Sequence, residues 1–196
     1  MREKGGVLIV DEIYQRLMFH SSPPSVVGLG EDIVSVNSFS KTFSMTGWRL
    51  GWVVAPTDMM DSLERLSQNL FISPSAIAQQ AALAAFEPES LATAQGYRER
   101  FREQGDYLLG ELTRLGFSFP AMPDGAFYAW ADVSPTFDKL GVSSSWDWVF
   151  KILQDTHIAV APGRDFGADE RMVRFSTAGS MGQLEEALRR LQQRLA

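Results

Sequence analysis

The sequence predicts an α/β fold, and three observations carry that prediction. Two short continuous apolar runs, Val7-Leu8-Ile9-Val10 and Ile33-Val34-Ser35-Val36, have the length and composition of strands buried on both faces of a parallel sheet. Each run ends in residues able to do chemistry: Asp11, Glu12 and Tyr14 after the first, Asn37, Ser38, Ser40 and Lys41 after the second. Helical periodicity takes over from Thr57, and short strands return beyond Phe117. In open α/β sheets ligands sit outside the carboxyl ends of the strands, so these residues are delivered to the edge where a site is expected.

The remaining elements follow in order. Ser21-Ser22-Pro23-Pro24 through Gly28 reads as a connection between strands. Phe43 to Gly47 forms a turn leading to Arg49, with Gly47 and Gly51 placed where backbone approaches closely. Leu50 to Ala55 is a third sheet segment, with Trp48 and Trp52 as packing residues. Thr57 is positioned to cap a helix running to about Leu70, with Met60, Leu63 and Leu66 on one side. Ser73-Pro74 is a second helix start, ahead of the alanine-rich run Ala76 to Ala85. Pro88 opens a longer helix with the stripe Tyr97, Phe101, Leu108, Leu112 and Leu115, closed by Gly116. Within it Gly105 costs ~1 kcal/mol relative to alanine.

From Phe117 onward the elements become compact. Ala126 to Ala131 is a strand preceded by the turn Pro123-Asp124-Gly125. Ser144 with Asp147 starts a helix carrying Trp146, Val149, Phe150 and Leu153. Ile158 to Ala161 and Met172 to Ser176 are further strands, separated by Pro162-Gly163-Arg164-Asp165-Phe166-Gly167. Ser180 and Gln183 make a capping box for the last helix, whose stripe is Leu184, Leu188, Leu191 and Leu195.

The pattern Asp11-x-x-Tyr14, Ser38-Phe39-Ser40-Lys41, Gly47-x-Arg49-x-Gly51 resembles the cofactor half of a fold-type I pyridoxal-phosphate enzyme, closest to class I/II aminotransferases of the aspartate aminotransferase group. The Pro123-x-Gly125-x-Phe127-Tyr128 segment and the Pro162-Gly163-x-x-Phe166-Gly167 loop also match that family. The resemblance implies pyridoxal 5′-phosphate as cofactor. It makes Lys41 the residue that carries the cofactor covalently, Asp11 the partner of the pyridine nitrogen and Tyr14 the phenol at the ring's 3′-oxygen. Ser38, Ser40 and Arg49 become phosphate ligands. Arg174, a long cation inside a strand, matches the arginine that pairs fork-to-fork with the substrate α-carboxylate, a geometry lysine does not reproduce. Lys41, Asp11 and Tyr14 are thus the expected catalytic residues, and no metal is called for.

The same resemblance sets the architecture: a partial large-domain sheet, a long linking helix and a small α+β C-terminal domain. Residues 1–93 would belong to the cofactor-binding large domain and 94–196 to the linking helix and small domain, with Leu50–Ala55 antiparallel to the other strands. All of this corresponds to the C-terminal half of a family chain. The other half supplies the aromatic stacked on the cofactor ring, further phosphate ligands and residues reaching the partner of a homodimer. The implied reaction moves an amino group between an amino acid and a 2-oxo acid. A β-lyase or synthase on the same scaffold is an alternative, because one fold hosts several chemistries. A catalytically inactive fragment is another.

Composition narrows the class. A net charge of −6, with acids and bases interspersed, argues against nucleic acid as a partner. No apolar run approaches the ~20 residues of a membrane helix, and the N-terminal MREKGGVLIV does not read as a secretory leader. The absence of cysteine excludes disulfides and thiolate metal sites and fits a cytoplasmic protein. His20 and His157 lie far apart without ligand spacing and read as structural.

Overall fold

Strands β1 (Leu8–Asp11) and β2 (Ile33–Ser38) pair in parallel, with Asp11 opposite Val36, and β3 (Gly51–Val54) adds to β2 antiparallel, with Ser38 opposite Gly51. The structure, a computed structural model, describes residues 2–21 and 23–196; Met1 of the opening MREK and Ser22 of the Ser21–Gly28 connection lie outside the described residues. The chain divides into two compact units, Met1–Arg98 and Glu99–Ala196.

In the first unit the sheet order is β1-β2-β3. The antiparallel third segment expected at Leu50–Ala55 is therefore present. The apolar run of β1 is not buried on both faces as its composition predicts: Val7 is 41 %, Leu8 38 % and Ile9 68 % exposed. β1 is an edge strand with a single neighbour, so one side of its ladder and much of its apolar surface stay open.

Two helix starts also differ from the sequence reading. Thr57 lies inside a 3-10 turn, Thr57–Met59, and caps nothing with its side chain; α1 (Met60–Leu70) continues from that turn. α1 buries none of its residues, and Met60 and Leu66 of the expected stripe are exposed. The second start falls at Ser75 rather than Ser73, because the Ser75 Oγ accepts from the Ala78 N–H at the head of α2 (Ala76–Leu83). α2 presents Ala78 and Ala82, followed by Ala85, to Phe39, Met45 and Leu50. Small side chains let this helix lie close to the turn that holds the candidate site. Trp52 packs edge-on against Phe39 with ring centroids 5.0 Å apart, whereas Trp48 is exposed and lines clefts rather than a core.

Helix α3 (Pro88–Arg114) opens at proline as expected and closes in a Schellman motif. Gly116, at φ +88, donates its N–H to the Thr113 carbonyl, and the Phe117 N–H reaches the Leu112 carbonyl at 3.1 Å. The second unit then builds an antiparallel sheet, β4 (Tyr128–Asp132), β6 (Met172–Ser176) and β5 (Ala161–Pro162), in the order β4-β6-β5. Strand pleating sends Ala129, Ala131, Val173 and Phe175 to the core and leaves Tyr128, Trp130 and Arg174 on the opposite face. Against the core face lie Leu108 and Leu112 of α3, Trp148 and Ile152 of α5 (Ser145–Thr156), and Leu188, Leu191 and Leu195 of α6 (Met181–Leu195). A one-turn helix, α4 (Phe137–Leu140), adds Leu140. The buried Trp148 Nε1 donates to Thr136 Oγ1 at 2.8 Å, which satisfies the one polar atom of that ring.

The capping expectations here hold: Ser144 caps α5 and Ser180 with Gln183 forms the capping box of α6. The stripe assigned to α5 is partly rotated. Trp146, Phe150 and Leu153 are exposed, and Ser145, Trp148, Val149, Ile152 and Thr156 face inward. Residues Ile158–Val160 are irregular, so the strand expected there shrinks to Ala161–Pro162. β4 likewise starts at Tyr128 because Ala126 takes φ +64, outside strand geometry.

The exposed β1 edge and β3 face generate a prediction. At micromolar concentration the 196-residue chain should self-associate, since exposed apolar strand surface is an aggregation template. A monomer by sedimentation, with slow amide exchange across Val7–Val10 and Ile33–Val36, would contradict it.

Candidate active site

Parallel pairing places the carboxyl ends of β1 and β2 side by side. That brings Asp11, the last residue of β1, to the sheet edge from which Ser38, Ser40 and Lys41 continue. Asp11 is exposed, and its Oδ1 accepts from the Ile13 N–H at 3.0 Å, which fixes the direction of the carboxylate. Tyr14 is half-buried in the turn that follows, immediately before the 3-10 segment Gln15–Leu17, where Leu17 is fully buried.

The segment 38–51 is folded back on itself. The Phe39 N–H reaches the Leu50 carbonyl at 3.2 Å, and Ser38 Oγ donates to the same carbonyl at 3.1 Å. Ser38 and Ser40 hydroxyls are 2.9 Å apart, and the Ser40 N–H donates to Ser38 Oγ at 3.0 Å. Thr46 closes the turn: its Oγ1 donates to the Ser40 carbonyl at 3.0 Å, and its own carbonyl accepts from Arg49 Nη1 at 2.8 Å. Lys41 is half-buried within this turn. Two non-glycine residues in it, Ser44 and Arg49, adopt φ near +55 and +54, an uncommon conformation that the surrounding hydrogen bonds hold in place. Gly51 is required by space: a Cβ there would come within 2.6 Å of the Asn37 carbonyl oxygen.

The structure thus brings Asp11, Tyr14, Ser38, Ser40, Lys41 and Arg49 into one unit. Arg49 is exposed and lines a cleft of about 830 Å3 with Gly47, Gly51, Ser73 and Ser75. Arg174 belongs to the second unit, on the face of β6 away from the core. Its guanidinium carbon lies 4.4 Å from the Tyr128 ring centroid and 4.4 Å from that of Phe166. Among the described residues its side chain makes no hydrogen bond and no ion pair. Arg171, three residues earlier, is by contrast committed to Asp169 and Asp132. Arg164 is exposed, with its guanidinium carbon 5.2 Å from the Trp146 ring centroid.

The sequence places Glu12 beside Asp11 but assigns it no role. Its carboxylate is buried and accepts from Ser35 Oγ at 2.6 Å, the Val26 N–H at 2.8 Å and Ser25 Oγ at 2.9 Å. Burial pushes this carboxyl up, and the Ser35 hydroxyl, the Val26 N–H and the Ser25 hydroxyl together outweigh it, leaving the pKa lowered. Among the described residues the connection 12–32 holds no α-helix, and this carboxylate ties it to the sheet beside Asp11. The available signal was position: a second acid immediately after the apolar run and next to Asp11. Thr46 is assigned no role either, since nothing local distinguishes it from a surface threonine.

The chain is a mixed α/β protein whose parallel strand pair ends in an acid and a Ser-x-Ser-Lys turn. The comparisons with known proteins are specific. The profile of the family Aminotransferase class I and II matches residues 1–191, and the chain belongs to that family. It is 42% identical over 189 residues to the valine–pyruvate aminotransferase of Mycobacterium tuberculosis, covering 94% of this chain and 47% of that protein. It is 31% identical over 191 residues to the aspartate aminotransferase of Bacillus subtilis, covering 94% and 48%. Among solved structures, an aminotransferase from Mycobacterium tuberculosis superposes with a TM-score of 0.87 at 41% identity, over 96% of this chain and 48% of the other. A double mutant of Thermus thermophilus aspartate aminotransferase gives 0.88 at 34% identity, over 98% and 49%. The chain spans about half the length of the curated relatives it matches.

The Glu12 network sets a pH dependence. Its folded pKa lies below the ordinary glutamate value of 4.5, so the stability it contributes is present above that value and is lost as pH falls through the folded pKa. In urea titrations, Glu12→Gln should leave at least one buried donor unpaired and cost about 1–3 kcal/mol at pH 7. The gap between variant and wild type should narrow in acid; a gap independent of pH would contradict this reading.

Proposed function

We propose that the chain forms the C-terminal part of a pyridoxal-phosphate-dependent aminotransferase, moving an amino group between an amino acid and a 2-oxo acid. The observation that carries the reading is the joining of Asp11 to the Ser38–Arg49 turn by the parallel pairing of β1 and β2. The donor set suits the cofactor: two hydroxyls and a guanidinium for a phosphate, a neighbouring amine for an aldehyde, and a carboxylate one strand away for a ring nitrogen. Residues 1–93 are read as the end of the cofactor-binding large domain and 94–196 as the linking helix and small domain. A homodimeric assembly and a cytoplasmic setting belong to the same proposal. In the described residues no helix is long and apolar enough to cross a membrane.

When bound, the cofactor supplies an aldehyde that an amine can join and a ring that accepts electron density. The chain's residues act around that chemistry. Asp11 would hold a proton at the pyridine nitrogen, and Tyr14 would donate a hydrogen bond to the ring's 3′-oxygen. Ser38, Ser40 and Arg49 bind the phosphate through charge-assisted hydrogen bonds. Lys41 Nζ would be the amine that holds the cofactor, and the same group would serve as the general base for a proton at the substrate α-carbon. Arg174 pairs with the α-carboxylate through both arms of its fork.

The cofactor role is tested by borohydride reduction of the chain incubated with pyridoxal phosphate, followed by peptide mapping. The label is expected on Lys41 and absent from Lys41→Ala; a dominant label on any other lysine overturns the assignment. In the assembled enzyme, Arg174→Lys should lower kcat/KM for α-carboxylate substrates roughly tenfold or more while cofactor retention is unchanged. Transfer itself is checked by 2-oxo acid released from the amino donor without ammonia; ammonia release would instead favour a lyase.

A further inference from the structure

We propose that Tyr128 and Phe166 are positioning residues that hold the Arg174 guanidinium by its faces and leave its N–H edge for an incoming carboxylate. The inference rests on the reading of Arg174 as the carboxylate-binding arginine and deepens it.

A guanidinium is planar, with five N–H donors directed outward in its plane and weakly hydrated faces that stack on aromatic rings. Orienting it with a carboxylate would consume the donors that a ligand needs, as Asp169 does for Arg171. Orienting it with rings leaves them available. Arg174 has the second arrangement: two rings flank its guanidinium carbon at 4.4 Å each, and among the described residues no acceptor engages its donors. It is a half-buried cation whose directional hydrogen-bonding capacity is uncommitted, whereas Arg171, in the turn just before the strand, is ion-paired.

Both rings come from rigid positions. Tyr128 opens β4 opposite Ser176 and shares the outer face of the sheet with Trp130, which stands opposite Arg174. Phe166 ends the 3-10 turn Gly163–Phe166, which Gly167 closes at φ +69. That turn lies hard against the start of β6: a Cβ on Gly163 would sit 2.7 Å from the Met172 carbonyl oxygen and 2.8 Å from the Met172 Cβ. The Trp130 ring meets Phe166 edge-on at 5.5 Å and backs it from the side. Phe166 itself remains 49 % exposed, so core packing does not account for its place.

The test uses the 196-residue chain as its soluble self-associated species, 15N-labelled and deuterated, and reads the arginine Nε–Hε resonances, with Arg174 identified by its loss in Arg174→Lys. Ring currents should move the Arg174 Hε upfield of the arginines that lie over no ring, Arg164 beside Trp146 being set apart by its own loss in Arg164→Lys. Phe166→Leu and Tyr128→Leu should each return it toward them, and Phe166→Tyr should keep it. Titration with pyruvate, a 2-oxo monocarboxylate, should move this resonance in wild type, with affinity weakened about fivefold in each leucine variant and retained in Phe166→Tyr. The Nε–Hε of Arg194, paired with Asp155 at 2.6 Å, reports that each variant is folded. A normal Arg174 shift in wild type overturns the clamp. A ring-shifted resonance with equal pyruvate affinity in the leucine variants overturns the positioning role. A ring-shifted resonance that does not respond to pyruvate in wild type overturns the carboxylate reading, and with it the purpose assigned to the rings.

Discussion

A buried carboxylate with three hydrogen-bond donors holds the first unit together at the point where its chemistry converges. Parallel strands need a long connection, and here residues 12–32 make it with no α-helix among the described residues. The Glu12 carboxylate binds the connection through Ser25 and Val26 and the neighbouring strand through Ser35. Register is thereby held one residue from Asp11. A slip of one residue would reverse every side chain of the strand and take Asp11 off the edge it shares with Ser38 and Lys41.

The two units reach order by different means. The second has a continuous core, in which Leu112, Trp148, Ile152 and Val173 are fully buried between one sheet face and the helices around it. The first has a small cluster of Phe39, Met45, Leu50 and alanines, and depends on hydrogen bonds within the turn 38–51 and on Glu12. Polar networks of this kind specify geometry more than they add stability. The site residues on that turn are placed by a hydroxyl ladder, two positive-φ residues and a glycine against a carbonyl, while the strands beside them keep apolar faces open.

Much of this was readable in advance because the signals are local. A run of four apolar residues followed by an acid needs no partner to be recognised, and Ser-x-Ser-Lys with flanking glycines carries its own turn chemistry. Caps at Ser144 and Ser180 and the glycine closing α3 were equally legible, since each is a hydrogen bond made within one turn. Where local signals competed, the reading slipped. Ser73 and Ser75 both precede the alanine helix, and only backbone geometry decides which hydroxyl reaches an N–H. On α5, aromatic residues occupy two adjacent stripes, and packing against β6 selected the one containing Trp148 over the one containing Trp146.

The sequence by itself determined which residues could do chemistry and on which elements they stand: Asp11 and Ser38 at strand ends, Lys41 and Arg49 in one turn, Arg174 within a strand. These follow from hydrophobic period, turn residues and covalent spacing, which act over a few positions. Only the tertiary structure decided which strand is an edge, how Glu12 is satisfied and what surrounds Arg174. Ser35 lies far along the chain from Glu12, and Tyr128 and Phe166 come from separate segments that meet at Arg174 only through the β4–β6 register and the turn packed against Met172. Contacts of that kind depend on side chains distant in sequence meeting in one register, and no local pattern encodes them.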